Sequence, residues 1–121
     1  LGNEEPIASV VGEIVPCNDF YDYDAKYLAG DSELHIPARL PEEKLAAVRA
    51  AAVNANRSYG CTGQTRDDFF VRRSDGELLL NEPNTIPGFT EISMYPKLFA
   101  ASGIPYPELL DKLINYAIER Q

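Results

Sequence analysis

The chain has 121 residues, 45% of them apolar and 25% charged, and its 19 acids against 11 lysines and arginines give a formal charge of -8. That length suits one domain with a single core, and no run approaches the roughly 18 uncharged apolar residues of a membrane span. The acidic balance and the scatter of the basic residues argue against a surface for phosphate backbones, so neither a nucleic acid nor a membrane is expected as a partner.

Leu1 to Glu5 has neither the basic nor the apolar region of a secretory signal, and the chain opens without Met in what reads as the middle of a strand. Ile7 to Val15 is β-branched, interrupted by Gly12 and stopped by Pro16, which predicts a strand with a bend. Cys17 and Cys61 form neither a CxxC pair nor a disulfide framework; they read as two buried thiols in a reducing, cytoplasmic setting. Asn18 to Ser32 is rich in aromatics and acids but follows no period of 2 or 3.6, the mark of a functional loop.

A short strand is expected at Glu33 to Pro37; the lone histidine, His35, lies there as a structural residue, with no Ser or Cys motif to make it a base. Pro41-Glu42-Glu43 then announces a helix running to about Ser58. Its apolar face is Leu45, Val48, Ala52 and Ala55. Thr65 to Arg73 and Glu77 to Asn84 read as two strands joined by Ser74-Asp75-Gly76, with Gly at the position that tolerates positive φ. A Pro87-Gly88 turn leads to helices at about Tyr95 to Ala101 and Pro107 to Arg120, the last burying Leu109, Leu110, Leu113, Ile114, Ala117 and Ile118. Strands and helices without regular alternation predict an α+β fold, an antiparallel sheet packed by helices.

If Arg73 faces Glu77 across the loop, Asp68 faces Glu82 and Arg66 faces Asn84, and the period of 2 puts all four on one side of the ribbon. Two carboxylates directly opposite each other repel unless a cation lies between them. Asp68, Glu82 and Asn84 offer only oxygen ligands, which suits Mg²⁺ or Mn²⁺ better than Zn²⁺. A solvated acidic ribbon neutralised by Arg66 accounts for the spacing equally well, and a one-residue bulge would break the register.

Arg66-Asp67-Asp68-Phe69-Phe70, then Asn81-Glu82-Pro83-Asn84-Thr85-Ile86-Pro87-Gly88-Phe89-Thr90, then Ser93-Met94-Tyr95-Pro96, closely resemble the C-terminal motifs of D-alanine-D-alanine ligases, enzymes of the ATP-grasp superfamily. Gly12 to Pro16 and Phe20 to Tyr27 are similar to the same family in the same order, so the resemblance spans nearly the whole chain. It implies an ATP-dependent ligase that activates one D-alanine as an acylphosphate, which the amine of a second D-alanine attacks to give a peptidoglycan precursor. By that resemblance Asp68, Glu82 and Asn84 would hold the Mg²⁺ that bridges the ATP phosphates. Arg66 and the Gly88 N–H would stabilise the oxyanion, Ser93 the carboxylate of the second D-alanine. Lys26 would reach phosphate and Tyr27 the second substrate from a closing loop; Phe20 and Phe70 would flank adenine. The FYDYDAKY loop favours an amine-bearing second substrate, D-alanine ahead of D-serine.

Family enzymes are longer, with an N-terminal and a central domain that share the site. Residues 1–121 are thus expected to be a partial C-terminal ATP-grasp domain, inactive alone, with the remaining ligase domains or a homodimer partner as its macromolecular partners. The alternatives are an independently folding, non-catalytic domain and a small cation-binding module. Asp67, Pro83, Gln64, Asn54 and Asn56 stand where small or apolar residues are usual, which suggests a surface made polar for solubility by design. Pro83 also removes a ladder N–H, so it should lie at an edge or a bulge.

Overall fold

The computed structural model describes residues 1–16, 32–90 and 92–121. Its elements are β1 (Glu13–Val15), β2 (Glu33–His35), α1 (Glu42–Ser58), β3 (Arg66–Val71), β4 (Leu78–Asn84), α2 (Met94–Ala101) and α3 (Tyr106–Glu119). The α+β class holds, but among the described residues the strands form two antiparallel pairs, β1–β2 and β3–β4, rather than one sheet.

The strand predicted from Ile7 contracts to Glu13–Val15, where Glu13 faces His35 and Val15 faces Glu33. From Ile7 to Gly12 the chain pairs with no strand among the described residues. Beside β1, Arg39 donates two side-chain hydrogen bonds and its backbone N–H to the Glu13 carboxylate, at 2.9–3.1 Å. Those bonds hold the Glu13 carboxyl down at about 2, below its ordinary 4.5. The stabilisation they give is complete above the unfolded value and fades as pH falls from about 4.5 towards about 2. In Arg39→Met, urea melts across that window are expected to lose part of their acid dependence, by a small amount because water screens the pair. An unaltered acid limb would mean that the pair does not form in solution.

Pro41 sets the start of α1, its carbonyl accepting from the Lys44 and Leu45 N–H groups, and Glu42 and Glu43 complement the dipole of the first turn. The buried side of α1 is Val48, Ala55 and Asn56, with Leu45 and Ala52 half-buried. Asn56, 4% exposed, donates through Nδ2 to Thr65 Oγ1 at 2.9 Å, while its Oδ1 has no hydrogen-bond partner. Polar residues expected on a solubilised surface are therefore partly inside. Asn56 is buried, Gln64 and Asp67 each carry a buried oxygen without a partner, and only Asn54 is exposed. Burial, with Asp68 as a lesser cause, raises the Asp67 carboxyl above its usual range. An orphaned buried acceptor costs stability, whereas removing both members of a polar pair can leave it unchanged or improve it. The double variant Asn56→Leu, Thr65→Val is expected to gain about 1 kcal/mol in urea melts; a loss of stability would show that Asn56 Oδ1 is satisfied.

The core gathers at the C-terminal end, where Leu1, Tyr95, Phe99 and Leu109 pack together with Phe89, Ile104, Leu113 and Tyr116 around them. Tyr95 and Phe99 meet as tilted rings 5.0 Å apart, a favourable aromatic geometry. Of the stripe predicted for α3, Leu109 and Leu113 face this core. Leu110, Ile114 and Ile118 are exposed, as is Ala117. The period of 3.6 groups all six residues on one wide face, but the core reaches only the side shared by Leu109, Leu113 and Tyr116. Cys61 is free and half-buried; Cys17 lies outside the described residues.

Candidate functional site

The β3–β4 ribbon brings the oxygen-rich residues together. Arg66 faces Asn84, Asp67 faces Pro83 and Asp68 faces Glu82, in the predicted register. Nearer the turn the pairing shifts by one, Phe69 facing Leu80 and Val71 facing Leu78. Asn81 is the extra residue of that bulge. The correction falls at the loop: Arg72, not Arg73, bonds to Glu77, its N–H donating to the Glu77 carbonyl at 2.9 Å. One unpaired residue thus compensates a loop one residue longer than predicted, and the four site residues keep their common face. Gly76 supplies the positive φ, +71°, and its carbonyl accepts from Lys44 Nζ at 2.6 Å, which ties the hairpin tip to α1. Pro83 lies in β4, whose other edge has no strand partner among the described residues.

Arg66 and Asp68 are joined by a bidentate pair, Nε to Oδ1 at 2.8 Å and the second nitrogen to Oδ2 at 2.9 Å, and both are partly buried. The Asp68–Glu82 repulsion is therefore relieved on the Asp68 side by an internal cation. Each Asp68 oxygen keeps acceptor capacity beyond the bond from Arg66. Glu82 is exposed, and Asn84 Oδ1 accepts from the Ile86 N–H at 3.1 Å, shaping the turn that follows. The donor set is two carboxylates and one amide oxygen, and its chemistry fits a hard divalent cation that completes its shell with water and phosphate. No group of three His, Cys, Asp or Glu side chains suited to a metal occurs among the described residues.

After β4 the chain turns back through Pro87 and Gly88 to α2. A Cβ on Gly88 would lie 3.1 Å from Ser93 Oγ, so this backbone and that hydroxyl approach closely. Ser93 Oγ accepts from the Thr90 N–H at 2.9 Å and lies 2.8 Å from Thr90 Oγ1. Its own proton can then go to Thr90 or to a ligand, at the N-terminus of α2 where a carboxylate is favoured. Thr90 was not among the predicted site residues; its place three residues before Ser93, the spacing of a hydroxyl turn, is the signal. Phe70 shares the face of Arg66 and Asp68 and is 60% exposed. Phe20, Lys26 and Tyr27 lie outside the described residues. His35 pairs with Glu33 at 3.2 Å, within the β1–β2 pair.

Residues 1–115 match the family model described as D-ala D-ala ligase C-terminus. The D-alanine–D-alanine ligases of Ruminiclostridium cellulolyticum and Chloroherpeton thalassium are 59% and 58% identical over 99% of this chain, which covers 32% and 33% of theirs. The solved structure of the D-alanine-D-alanine ligase from Coxiella burnetii superposes with a TM-score of 0.83 at 42% identity, over 99% of this chain and 30% of that one. VanG D-Ala:D-Ser ligase from Enterococcus faecalis gives 0.81 at 40%, over 96% and 34%. The Bacillus anthracis ligase complexed with ATP gives 0.73 at 32%, over 92% and 36%. The chain spans about a third of the length of the curated relatives it matches.

Proposed function

As this chain belongs to the D-Ala-D-Ala ligase C-terminus family, we propose that it forms the metal- and phosphate-binding wall of an enzyme that joins two D-alanines at the expense of ATP. The observation that carries this reading is the register of the ribbon, which sets Asp68 opposite Glu82 and Arg66 opposite Asn84 on one face. Asp68, Glu82 and Asn84 hold magnesium or manganese. Held there, the ion would supply the charge neutralisation that phosphoryl transfer needs.

Arg66 neutralises Asp68 in the resting site and serves as the cation for the developing oxyanion, with the Gly88 N–H as second donor. Ser93 donates a hydrogen bond through its hydroxyl to the carboxylate of the second amino acid, its orientation set by Thr90. Lys26 and Tyr27 supply the phosphate and second-substrate contacts from the aromatic loop, and Phe20 and Phe70 the apolar neighbours of adenine. D-Alanine is the preferred second substrate and D-serine the alternative. The setting is cytoplasmic, and the partners are the other ligase domains. The competing reading is a ribbon neutralised by Arg66 that binds no metal, for which the bidentate Arg66–Asp68 pair speaks.

The decisive experiment replaces the matching third of the Ruminiclostridium cellulolyticum ligase with these 121 residues. A folded chimera is expected to make D-alanyl-D-alanine from ATP and D-alanine, while the 121 residues alone release no phosphate, a site with one wall excluding too little water. A folded chimera without dipeptide synthesis overturns the proposal.

A further inference from the structure

Tyr106, the first residue of α3, donates through its hydroxyl to the Phe89 carbonyl at 3.2 Å. Its ring also meets the Phe89 ring, with centroids 5.3 Å apart, and Phe89 in turn meets the buried Tyr95 at 6.0 Å. Phe89 thereby moors the segment between β4 and α2 to the core at a point between Gly88 and Ser93. Its carbonyl belongs to the same planar unit as the Thr90 N–H, and in a trans peptide the two groups point opposite ways. A donor on the carbonyl therefore fixes the direction of the N–H. That N–H donates to Ser93 Oγ at 2.9 Å, and the Ser93 N–H returns to the Thr90 carbonyl at 3.0 Å, closing the turn.

A serine hydroxyl has one proton to donate and two acceptor positions. Around Ser93 Oγ the Thr90 N–H fills one of them, and Thr90 Oγ1, 2.8 Å away, is placed to fill the other. With both filled, the oxygen accepts nothing more and its proton is directed out of the turn. A hydroxyl held in that way serves a ligand group that only accepts, such as a carboxylate, and offers nothing to an ammonium or an amide N–H. Hydrogen bonds in series also polarise one another. The Tyr106 hydroxyl on the Phe89 carbonyl makes the Thr90 N–H a stronger donor to Ser93, and Ser93 a stronger donor to whatever it faces.

We propose that Tyr106 is a positioning residue for the carboxylate of the second amino acid, acting through the Phe89–Thr90 peptide unit to hold Ser93 as a donor, with Thr90 Oγ1 as the second fixing contact. This rests on the reading of Ser93 as the partner of that carboxylate. The carboxylate keeps its charge while the amine attacks, so the contact stabilises the bound and the transition state alike. Its loss therefore falls on KM and spares kcat.

The test follows dipeptide synthesis by the chimeric ligase over a wide range of D-alanine, which yields one constant for each D-alanine site. Tyr106→Phe keeps the ring and removes only the hydroxyl. It is expected to raise the constant of the second site about three- to tenfold, the worth of one neutral hydrogen bond, while kcat and the constants for ATP and the first D-alanine stay within about twofold. Thr90→Val should act in the same way and Thr90→Ser should restore the original constant. The two losses combined in Tyr106→Phe, Thr90→Val should fall short of their product, since both act on one oxygen. Ser93→Ala should raise the same constant at least about tenfold, the worth of a hydrogen bond to a charged group; no rise there overturns the reading of Ser93 and the proposal with it. A clear effect of Ser93→Ala beside a silent Tyr106→Phe overturns the proposal alone, as does a joint shift of all constants with a lowered urea midpoint, the mark of a loosened fold. In the 121-residue chain, without any turnover, Tyr106→Phe should speed exchange of the Thr90 amide at least about threefold. Unchanged exchange would show that the hydroxyl does not steer this peptide unit and would overturn the proposal as well.

Discussion

Leu109→Ala is expected to lower the unfolding free energy of the chain by about 2–5 kcal/mol, the range for truncating a fully buried leucine. Leu109 is 0% exposed and, among the described residues, belongs to a cluster of four buried ones, with Leu1, Tyr95 and Phe99. Two of those neighbours are aromatic rings held in mutual contact, which cannot close over the vacated volume without breaking that contact. The cost therefore falls towards the upper end, and a small domain has only about 5–15 kcal/mol in all. Urea melts should show the midpoint moving down with an unchanged slope, since the surface exposed on unfolding hardly alters. Ile114→Ala, on the same helix but 59% exposed, should stay within about 0.5 kcal/mol. Equal losses at the two positions would mean that the outer face of α3 is covered and that the core is not where the structure has it.

That contrast also shows where sequence reasoning stops. The helices were legible because Pro41, Pro107 and the apolar spacing act within a few residues of one another, and α1 and α3 begin within a residue of their expected starts. Which side of α3 is buried depends on what lies beside it, and a period of 3.6 carries no record of that. The Ile7–Gly12 run is a similar case. Its β-branched residues prefer an extended chain, but a strand needs a neighbour, and among the described residues only Glu13–Val15 has one. The hairpin was legible at the site and misread at its tip. Gly76 marked the turn, whereas the bulge at Asn81 has no signature in residue type, and its shift cancelled the misjudged loop length. Asn56, Gln64 and Asp67 read as surface because they stand where the family resemblance implies small or apolar residues; their burial is a property of the packed chain. The functional residues were legible by resemblance rather than by physics, since paired carboxylates beside an arginine describe an ion-paired ribbon as well as a metal site.

Glu82→Gln is expected to weaken Mn²⁺ binding at the ribbon at least tenfold and, in the chimeric ligase, to cut dipeptide synthesis by about 100-fold or more, given that even outer partners of metal ligands are worth 10–100-fold. Glutamine keeps the shape and one oxygen but removes the charge, so the loss measures electrostatics rather than folding. Asp68→Asn should do the same to metal binding with a second consequence, because it also deprives Arg66 of its bidentate partner. Arg66→Met separates the two roles by sign. Without the guanidinium, Asp68 and Glu82 stand opposite each other uncompensated, and a divalent ion becomes the only way to relieve them, so Mn²⁺ affinity should rise. Dipeptide synthesis should nevertheless fall by about 10²–10³-fold, the range for losing one group that stabilises developing negative charge. Proton relaxation of water around Mn²⁺ reads the first quantity and phosphate release the second. A fall in both on removing Arg66 would show that the arginine holds the ribbon together rather than balancing its charge, and Mn²⁺ affinity unaffected by Glu82→Gln would place the ion elsewhere.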